Sequence, residues 1–554
     1  MKNHNRRTYN VFFNTHTVSG ITISVALFVC FLAGAFALFM DNIDNWEGNI
    51  KNSGHHRNID YERVLEVTKN EGYVLDDRTI SIRNVKGKEP YISVFANAAP
   101  KQVLDSIVVE EVSSEPNSFA TANISLRIDP NTYKIIKKDA DFTIESVGNF
   151  LYQLHYFNQV PYFGFYVSAL VSLFFLFAIV TGTIVHWKKI ISNFFTFRLR
   201  SSLKNLWTDA HTALGIIGLP FQFMYALTGA FFGLSLLIFL PTVALIYDSN
   251  QNAMVQDIFP GRIANYEALN VPTQQRSNIN NLVSATLDHF GKDDLDNLNV
   301  SISAYNDKNA HLSINVSKHK LNNINSMGYR TYRLSDGILV ESKEIGKNTF
   351  NEGFLLTFFN LHFASFGGYF LKIIYFVLAL ITCFVILSGV MVWLEARNSK
   401  KYAHKQRFIT NVGAIYLGAS LGLFPAIALF FCITKVFPLE MENRFGHMST
   451  VFFLFWLGYT VYAFFLKNFH KINKHALLLA GVFGILIPIL NGLQSGLWPW
   501  KSLSQGYSDS FFVDVSWLFI GSICLWVGLK VKRLVAHKKK NPKKHAQTKL
   551  DVAN

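Results

Sequence analysis

The sequence predicts a polytopic α-helical membrane protein with about eight spans and two small α+β modules outside the membrane. Three observations predict this fold. Half of the 554 residues are apolar, and several apolar runs exceed the roughly 20 residues that a helix needs to cross a bilayer. Polar residues gather in two long segments, and lysine and arginine cluster in short stretches beside the apolar runs.

The apolar runs predict where the spans lie. The expected spans are residues 11–40, 160–187, 208–247, 367–394, 409–437, 449–467, 475–496 and 511–531. The first run is too long for the apolar part of a signal peptide, and it lacks a small-residue cleavage site before Asp41. We therefore expect an uncleaved anchor.

The basic clusters predict the orientation of the chain. Arg6 and Arg7 precede the first span, and further clusters lie at 188–204, 397–407 and 467–474. Because lysine and arginine concentrate in cytoplasmic loops, we expect a multi-pass protein of the bacterial inner membrane with both termini in the cytoplasm. The net charge of +15 then reflects topology in the lipid bilayer rather than binding of nucleic acid.

The placement of cysteine limits the chemistry. Four cysteines lie singly inside apolar runs, where they are expected to pack as small side chains. They are Cys30, Cys383, Cys432 and Cys524. No disulfide framework or thiolate metal site is predicted, and without a Cys-x-x-Cys-His run any haem is expected to be held non-covalently.

The two polar segments, 41–150 and 248–360, are each predicted to fold as a small α+β module in the periplasm. Each begins with a helical pattern and continues with the alternation of polar and apolar residues that is typical of half-buried strands. The expected helices are 61–71 and 279–290, and the expected strands include 91–95, 124–128, 299–303 and 311–316.

The order of these elements repeats along the chain. Residues 1–195 and residues 196–400 each follow the order span, module, span. We therefore expect two copies of one unit, packed about a pseudo-two-fold axis with the functional site between them. Residues 401–554 are expected to form a four-span C-terminal bundle and a basic cytoplasmic tail.

Histidines recur at equivalent positions of the two copies. His16 and His211 open the first span of each copy, and glycines follow both at identical spacing: Gly20 and Gly34, Gly215 and Gly229. His155 and His362 precede the second span of each copy. Each of these lies equally far ahead of a hydroxyl residue and a glycine, Thr181-Gly182 or Ser388-Gly389.

These positions predict two histidine pairs. Equivalent residues on helices related by a two-fold axis face each other across it. We therefore expect the first pair, His16 with His211, near the cytoplasmic face and the second pair, His155 with His362, near the periplasmic face. Imidazole is a standard axial ligand of haem iron, and ionisable residues inside spans are usually functional, so the pairs are predicted to hold two b-type haems. The glycines either leave room for porphyrin or serve close helix packing alone.

His186 departs from the repeat, because the equivalent position in the second copy is Trp393. Its position near the cytoplasmic end of the second span makes it a further cofactor-binding candidate. It is a third candidate ligand for the haem near that face, a partner for a haem propionate, or a quinone contact.

Through these features the first 400 residues resemble the PepSY-associated transmembrane family. The resemblance rests on the two His-x3-Gly patterns, on the Leu-His pairs ending at His155 and His362, and on the two interposed modules. It implies an oxidoreductase of the inner membrane, in which two haems conduct electrons to a ferric siderophore lodged between the modules. Because no Gly-x-Gly-x-x-Gly follows a strand, we expect a separate electron donor, either a quinol or a cytoplasmic reductase.

Two other classes of function stay open. A permease for iron, haem or a siderophore would use a broken helix, for which Pro220, Pro241 and Gln222 in the third span are suited. A PepSY-type regulatory membrane protein without redox activity would bind a protease or a sensor through its modules and use the spans as anchors.

Overall fold

The computed structural model describes residues 6–51, 59–85, 91–98, 122–138, 145–195, 198, 202–258, 266, 268–273, 275–291, 295, 297–318, 327–438 and 441–531. Within these residues, eight helices are long and apolar enough to cross a membrane, as the sequence predicts. They are span 1 (Arg6–Ala37), span 2 (Gly164–His186), span 3 (Leu203–Ser235), span 4 (Gly368–Arg397), span 5 (Lys400–Val436), span 6 (Arg444–Leu466), span 7 (Phe469–Ser495) and span 8 (Ser508–Lys530).

Span 3 is interrupted near its middle. Its two helices, Leu203–Ile217 and Leu219–Ile246, meet at Gly218 just ahead of Pro220. Proline lacks an N–H and favours the first turn of a helix, which explains why a new helix starts here. Pro425 and Pro488 lie instead inside uninterrupted helices of spans 5 and 7.

Shorter helices connect the spans to a sheet and to one another. They are Met40–Glu47, Tyr61–Asn70, Val147–His155, Ile190–Phe194, Gln251–Ile258, Ile279–Phe290, Phe350–Phe363 and Pro499–Ser504, with a 3-10 turn at Trp187–Lys189. The side chains of Ser146 and Thr349 cap two of them by accepting the backbone N–H three residues ahead. These two capped helices carry His155 and His362.

Both polar segments contribute strands to one antiparallel sheet. The first segment supplies β1 (Ile80–Val85), β2 (Ile92–Ala96), β3 (Ile124–Ile128) and β4 (Ile135–Lys138), and the second supplies β5 (Asn297–Ser303), β6 (His311–Ser317), β7 (Met327–Arg333) and β8 (Leu339–Lys343). The strand order is β4-β3-β2-β1-β5-β6-β7-β8. Because β1 pairs with β5, with Ile82 opposite Val300, the two segments join edge to edge.

One hydrophobic core lies between this sheet and the helices Tyr61–Asn70 and Ile279–Phe290. Alternate strand residues such as Ile82 and Val300 are fully buried in it, as the period of a strand requires. The two helices also meet, since Glu62 accepts the backbone N–H of Ile279 at 2.9 Å. The two segments therefore share one sheet and one hydrophobic core.

Spans 5 to 8 pack against one another, against spans 1 and 4, and against the helices Met40–Glu47 and Val147–His155. Phe36 of span 1 stacks on Trp517 of span 8, with ring centroids 5.4 Å apart. The four cysteines are buried and free, which confirms their predicted role as packing residues. The last four spans therefore form a bundle that is continuous with the core of the first four.

Candidate functional site

The structure brings the predicted histidine pairs together. The ring centroids of His16 on span 1 and His211 on span 3 are 6.1 Å apart. Those of His155, the last residue of helix Val147–His155, and His362, in the last turn of helix Phe350–Phe363, are 5.9 Å apart. Residues far apart in the chain thus form two similar sites.

Three of these imidazoles donate a hydrogen bond to a main-chain carbonyl through Nδ1. The acceptors are Ala178 for His16 at 2.8 Å, Cys30 for His155 at 2.6 Å and Val385 for His211 at 2.9 Å. A carbonyl oxygen only accepts, so Nδ1 carries the proton and Nε2 is left with a lone pair. This tautomer is the one that a metal-ligating histidine needs.

A glycine lies four residues after each of these carbonyls and gives the imidazole its space. A Cβ on Gly34 would stand 2.6 Å from Nδ1 of His155, and one on Gly182 would stand 2.9 Å from Cε1 of His16. A Cβ on Gly389 would stand 3.1 Å from Cε1 of His211. The glycines of the recurring motifs Thr181-Gly182 and Ser388-Gly389 therefore contact the two histidines of the first pair.

His362 has a different partner. Its Nδ1 lies 2.8 Å from Oγ1 of Thr228, whose hydroxyl donates to the carbonyl oxygen of Met224. Because that proton is used within the helix, Thr228 accepts from His362 and again leaves Nε2 with the lone pair. Tyr225 fixes the same turn, since its hydroxyl donates to the carbonyl oxygen of His362 at 2.8 Å.

The other glycines in the histidine pattern divide into two kinds. A Cβ on Gly20 would meet no atom within 4 Å, and one on Gly215 would meet only Val385 at 4.0 Å, so space lies open one turn from the first pair. Gly34 and Gly229 are in close contact with neighbouring side chains, and both also line the cavity beside the second pair. Gly34 contacts His155, and a Cβ on Gly229 would stand 2.7 Å from Oγ of Ser172.

A cavity of about 420 Å³ adjoins the second pair, and His155 and His362 both line it. Its wall is mostly aromatic and aliphatic, and its hydroxyl groups come from three tyrosines and three serines: Tyr152, Tyr156, Tyr225, Ser168, Ser172 and Ser235. Burial raises the pKa of Tyr152, which keeps its phenol protonated as a hydrogen-bond donor. Pockets that hold cofactors have volumes of about 300–1,000 Å³ and a similar mixture of apolar walls and few polar groups.

His186 lies beside the first pair. It ends span 2, one turn after Gly182, and is close enough to interact electrostatically with His16 and with His211. Within the described part of the chain, no three His, Cys, Asp or Glu side chains are arranged to coordinate a metal ion directly. The candidate site therefore consists of two imidazole pairs, with a third histidine neighbouring one of them.

The repeat in the sequence identifies the histidines but not the groups that orient them. Thr228 has no counterpart in the first copy, where Ala33 stands at the equivalent position, so the repeat gives no signal for it. Cys30 acts through its carbonyl oxygen, which no residue pattern marks. The start of the His362 helix was detectable, because Thr349 followed three residues later by Glu352 has the sequence pattern of a capping box. In the structure Thr349 accepts the backbone N–H of Glu352, while the Glu352 carboxylate pairs with Lys343.

No curated protein matches the chain. A family model described as the PepSY-associated TM region matches residues 13–396, which include nearly all of spans 1 to 4, the sheet and the five histidines of the candidate site. Together with the eight apolar helices, this match supports a multi-pass membrane protein and confirms the resemblance carried by the histidine and glycine patterns. The chain belongs to the PepSY-associated transmembrane family.

Proposed function

We propose that the protein is a di-haem b-type electron-transfer protein of the inner membrane that reduces ferric siderophores in the periplasm. Bound haem supplies one-electron chemistry through its iron. The donor would be a quinol or a cytoplasmic reductase, and each electron would reduce one siderophore-bound Fe³⁺ to Fe²⁺. Reduction weakens the complex, because the hard oxygen donors of a siderophore favour the ferric ion.

The separation of the paired imidazoles carries this proposal. When one iron binds two imidazoles, two metal–nitrogen bonds of about 2 Å each and the distance from each nitrogen to its ring centre separate the two ring centroids by roughly 6 Å. The centroid distances of 6.1 Å and 5.9 Å agree with this requirement. His16 and His211 would hold one haem, and His155 and His362 the other.

The surrounding residues support the same assignment. The Nδ1 hydrogen bonds orient the rings and raise the basicity of Nε2, as they do for other metal-ligating histidines. The open space beside Gly20 and Gly215 leaves room for a porphyrin edge at the first pair. His186 would bind a propionate or a quinone headgroup there.

The basic segments favour cytoplasmic termini, which would put the sheet in the periplasm. The first pair would then lie near the donor and the second pair near the sheet. The ferric siderophore would bind on the sheet side of the membrane, at the two modules.

Anaerobic mixing tests the activity. Chemically reduced protein should show b-type absorbance and lose it when a ferric trihydroxamate is added, while a ferrous chelator should report one Fe²⁺ for each electron lost. Absence of any b-type absorbance would contradict the proposal and leave a permease or a regulatory membrane protein without redox activity. Stable reduced absorbance in the presence of the ferric complex would contradict siderophore reduction.

The interruption of span 3 favours a second candidate, a permease for iron, haem or a siderophore. Broken helices line the binding sites of many transporters. Here the break at Gly218 lies one turn before Gln222, whose Nε2 is 3.4 Å from Oγ1 of Thr382 in span 4. Uptake of radioactive iron into proteoliposomes without any reductant would support transport, and a requirement for reductant would argue against it.

A further inference from the structure

The helix that ends in His155 is embedded in the C-terminal bundle. Phe150, near the middle of that helix, is 3% exposed. Rings of spans 5 and 6 surround it, with centroids between 4.6 Å and 5.9 Å away: Phe430, Phe445, Phe452 and Phe453. Clusters of this kind stabilise a fixed helix position because each ring adds both buried area and preferred edge or tilted contacts.

The start of the same helix is bound by a second element. Asp44 accepts the backbone N–H of Gly148 at 2.9 Å, and Glu47 accepts that of Val147 at 2.8 Å. Both carboxyl groups belong to helix Met40–Glu47, which follows span 1. Two orphan donors of the His155 helix are thus satisfied by a different helix, while Ser146 accepts the N–H of Asn149.

The C-terminal bundle in turn fixes helix Met40–Glu47. Asp509 of span 8 accepts hydrogen bonds from the side chains of Asn42 and Asn45, both at 2.7 Å. Asp514, one and a half turns further along span 8, accepts from the indole N–H of Trp46 at 2.8 Å. All of these side chains are buried, so they cannot bond to water and depend on one another as hydrogen-bond partners.

Span 5 adds a cation to this network. Nζ of Lys435 donates to the carbonyl oxygen of Trp46 at 2.8 Å and lies 4.3 Å from the centroid of its indole ring. Buried charges in a membrane are costly unless they are partnered, and here the partner is the main chain of helix Met40–Glu47. Breaking this set would leave buried groups without partners.

The helix that carries His362 is held differently. Of its residues only Glu352 is buried, and Phe350 is 86% exposed. Its Phe358 and Phe359 pack on Phe231 and Phe232 of span 3. The two histidines of the second pair are therefore supported unequally, one by the C-terminal bundle and the other by span 3.

We infer that the four C-terminal spans, which follow the matched family region, are a scaffold that positions His155. Phe452, Asp509 and Asp514 are positioning residues that act through Phe150, helix Met40–Glu47 and the start of the His155 helix. The effect of this scaffold on haem binding rests on the proposed function. The positioning itself can be measured on the protein alone.

Hydrogen–deuterium exchange of the full-length protein tests the inference. Phe452→Ala should speed exchange in helix Val147–His155 on the order of tenfold or more, because local stability follows local packing, and leave helix Phe350–Phe363 unchanged. Phe452→Leu should restore most of the protection. Phe455→Ala is the matched control, since Phe455 lies on the same span but packs on Phe483.

Trp46→Phe is the second test variant if Phe452→Ala does not fold. It keeps an aromatic side chain at residue 46 but removes the N–H that donates to Asp514. It should also loosen helix Val147–His155. In haem-loaded protein, both variants should change the paramagnetic resonance signal of one haem and leave the other unchanged. Equal exchange in wild type and both variants, or an equal rise in Phe455→Ala, would overturn the inference. Wild-type protein without haem would contradict the proposed function but not the scaffold inference, because the exchange measurement does not depend on haem.

Discussion

The imidazole of His155 lies directly against Gly34, in a contact that leaves no space for a side chain at residue 34. A Cβ there would stand 2.6 Å from Nδ1 of His155, and the same Nδ1 is 2.6 Å from the carbonyl oxygen of Cys30. Real Cβ atoms are essentially never found so close to another heavy atom. Span 1 therefore sets the orientation of a histidine that belongs to a different helix.

Gly34→Ala is expected to displace His155. Overpacking of this kind costs about 1–3 kcal/mol, and here the imidazole or its helix has to move. The haem assigned to the second pair should be lost or weakened while the other is kept, as measured by haem content and reduced-minus-oxidised spectra. Gly458→Ala is the control, since a Cβ there would meet no atom within 4 Å. Full haem content in Gly34→Ala would contradict the expectation.

Thr228→Val is expected to weaken the same haem through His362. Valine keeps the shape of threonine but removes the acceptor that lies 2.8 Å from Nδ1 of His362. Loss of such a partner typically lowers metal affinity by about 10–100-fold, which haem titration of the apoprotein would measure. Thr460→Val is the control, because the Thr460 hydroxyl donates to Trp456 of its own helix. Equal affinities in the two variants would rule out this role for Thr228.

The buried carboxyl group of Asp44 predicts a pH dependence of stability. Burial, with a contribution from the charge of Glu47, raises the pKa of Asp44 from 3.8 to about 8. The folded state then binds a proton that the unfolded chain has released, so the contribution of Asp44 to stability is complete below pH 3.8 and is lost as the pH rises through about 8. One group contributes at most about 1.4 kcal/mol per pH unit.

Asp44→Asn, which stays neutral at every pH, should flatten this decline. Apparent melting temperatures of detergent-solubilised protein, taken from about pH 5 to 8, would measure the slope in both proteins. An equally steep decline in the variant would show that other groups cause it.

The sequence predicts the spans because a long apolar run identifies a membrane helix by itself, whichever helices it packs against. Span 8 is expected at 511–531 and observed at Ser508–Lys530, and helix Ile279–Phe290 is observed at its predicted limits. The pairing of β1 with β5 could not be predicted. It joins strands more than 200 residues apart, and alternation along a strand does not specify which edge it meets.

The candidate site shows the same division. The repeated spacing identifies His16, His155, His211 and His362, since equal positions in two copies are visible in one sequence. It does not reveal that Gly182 seats His16, or that the second copy uses Thr228 where the first uses a carbonyl. These contacts depend on the approach of separate helices, which only the folded chain defines.

The central claim is that the two imidazole pairs each bind one haem. Haem content and reduced-minus-oxidised spectra of His16→Ala and His155→Ala, compared with wild type, test it most directly. Wild type should contain two b-type haems, and each variant should lose one and keep the other, with different spectra remaining. Loss of both haems or of neither in each variant would contradict the pairing.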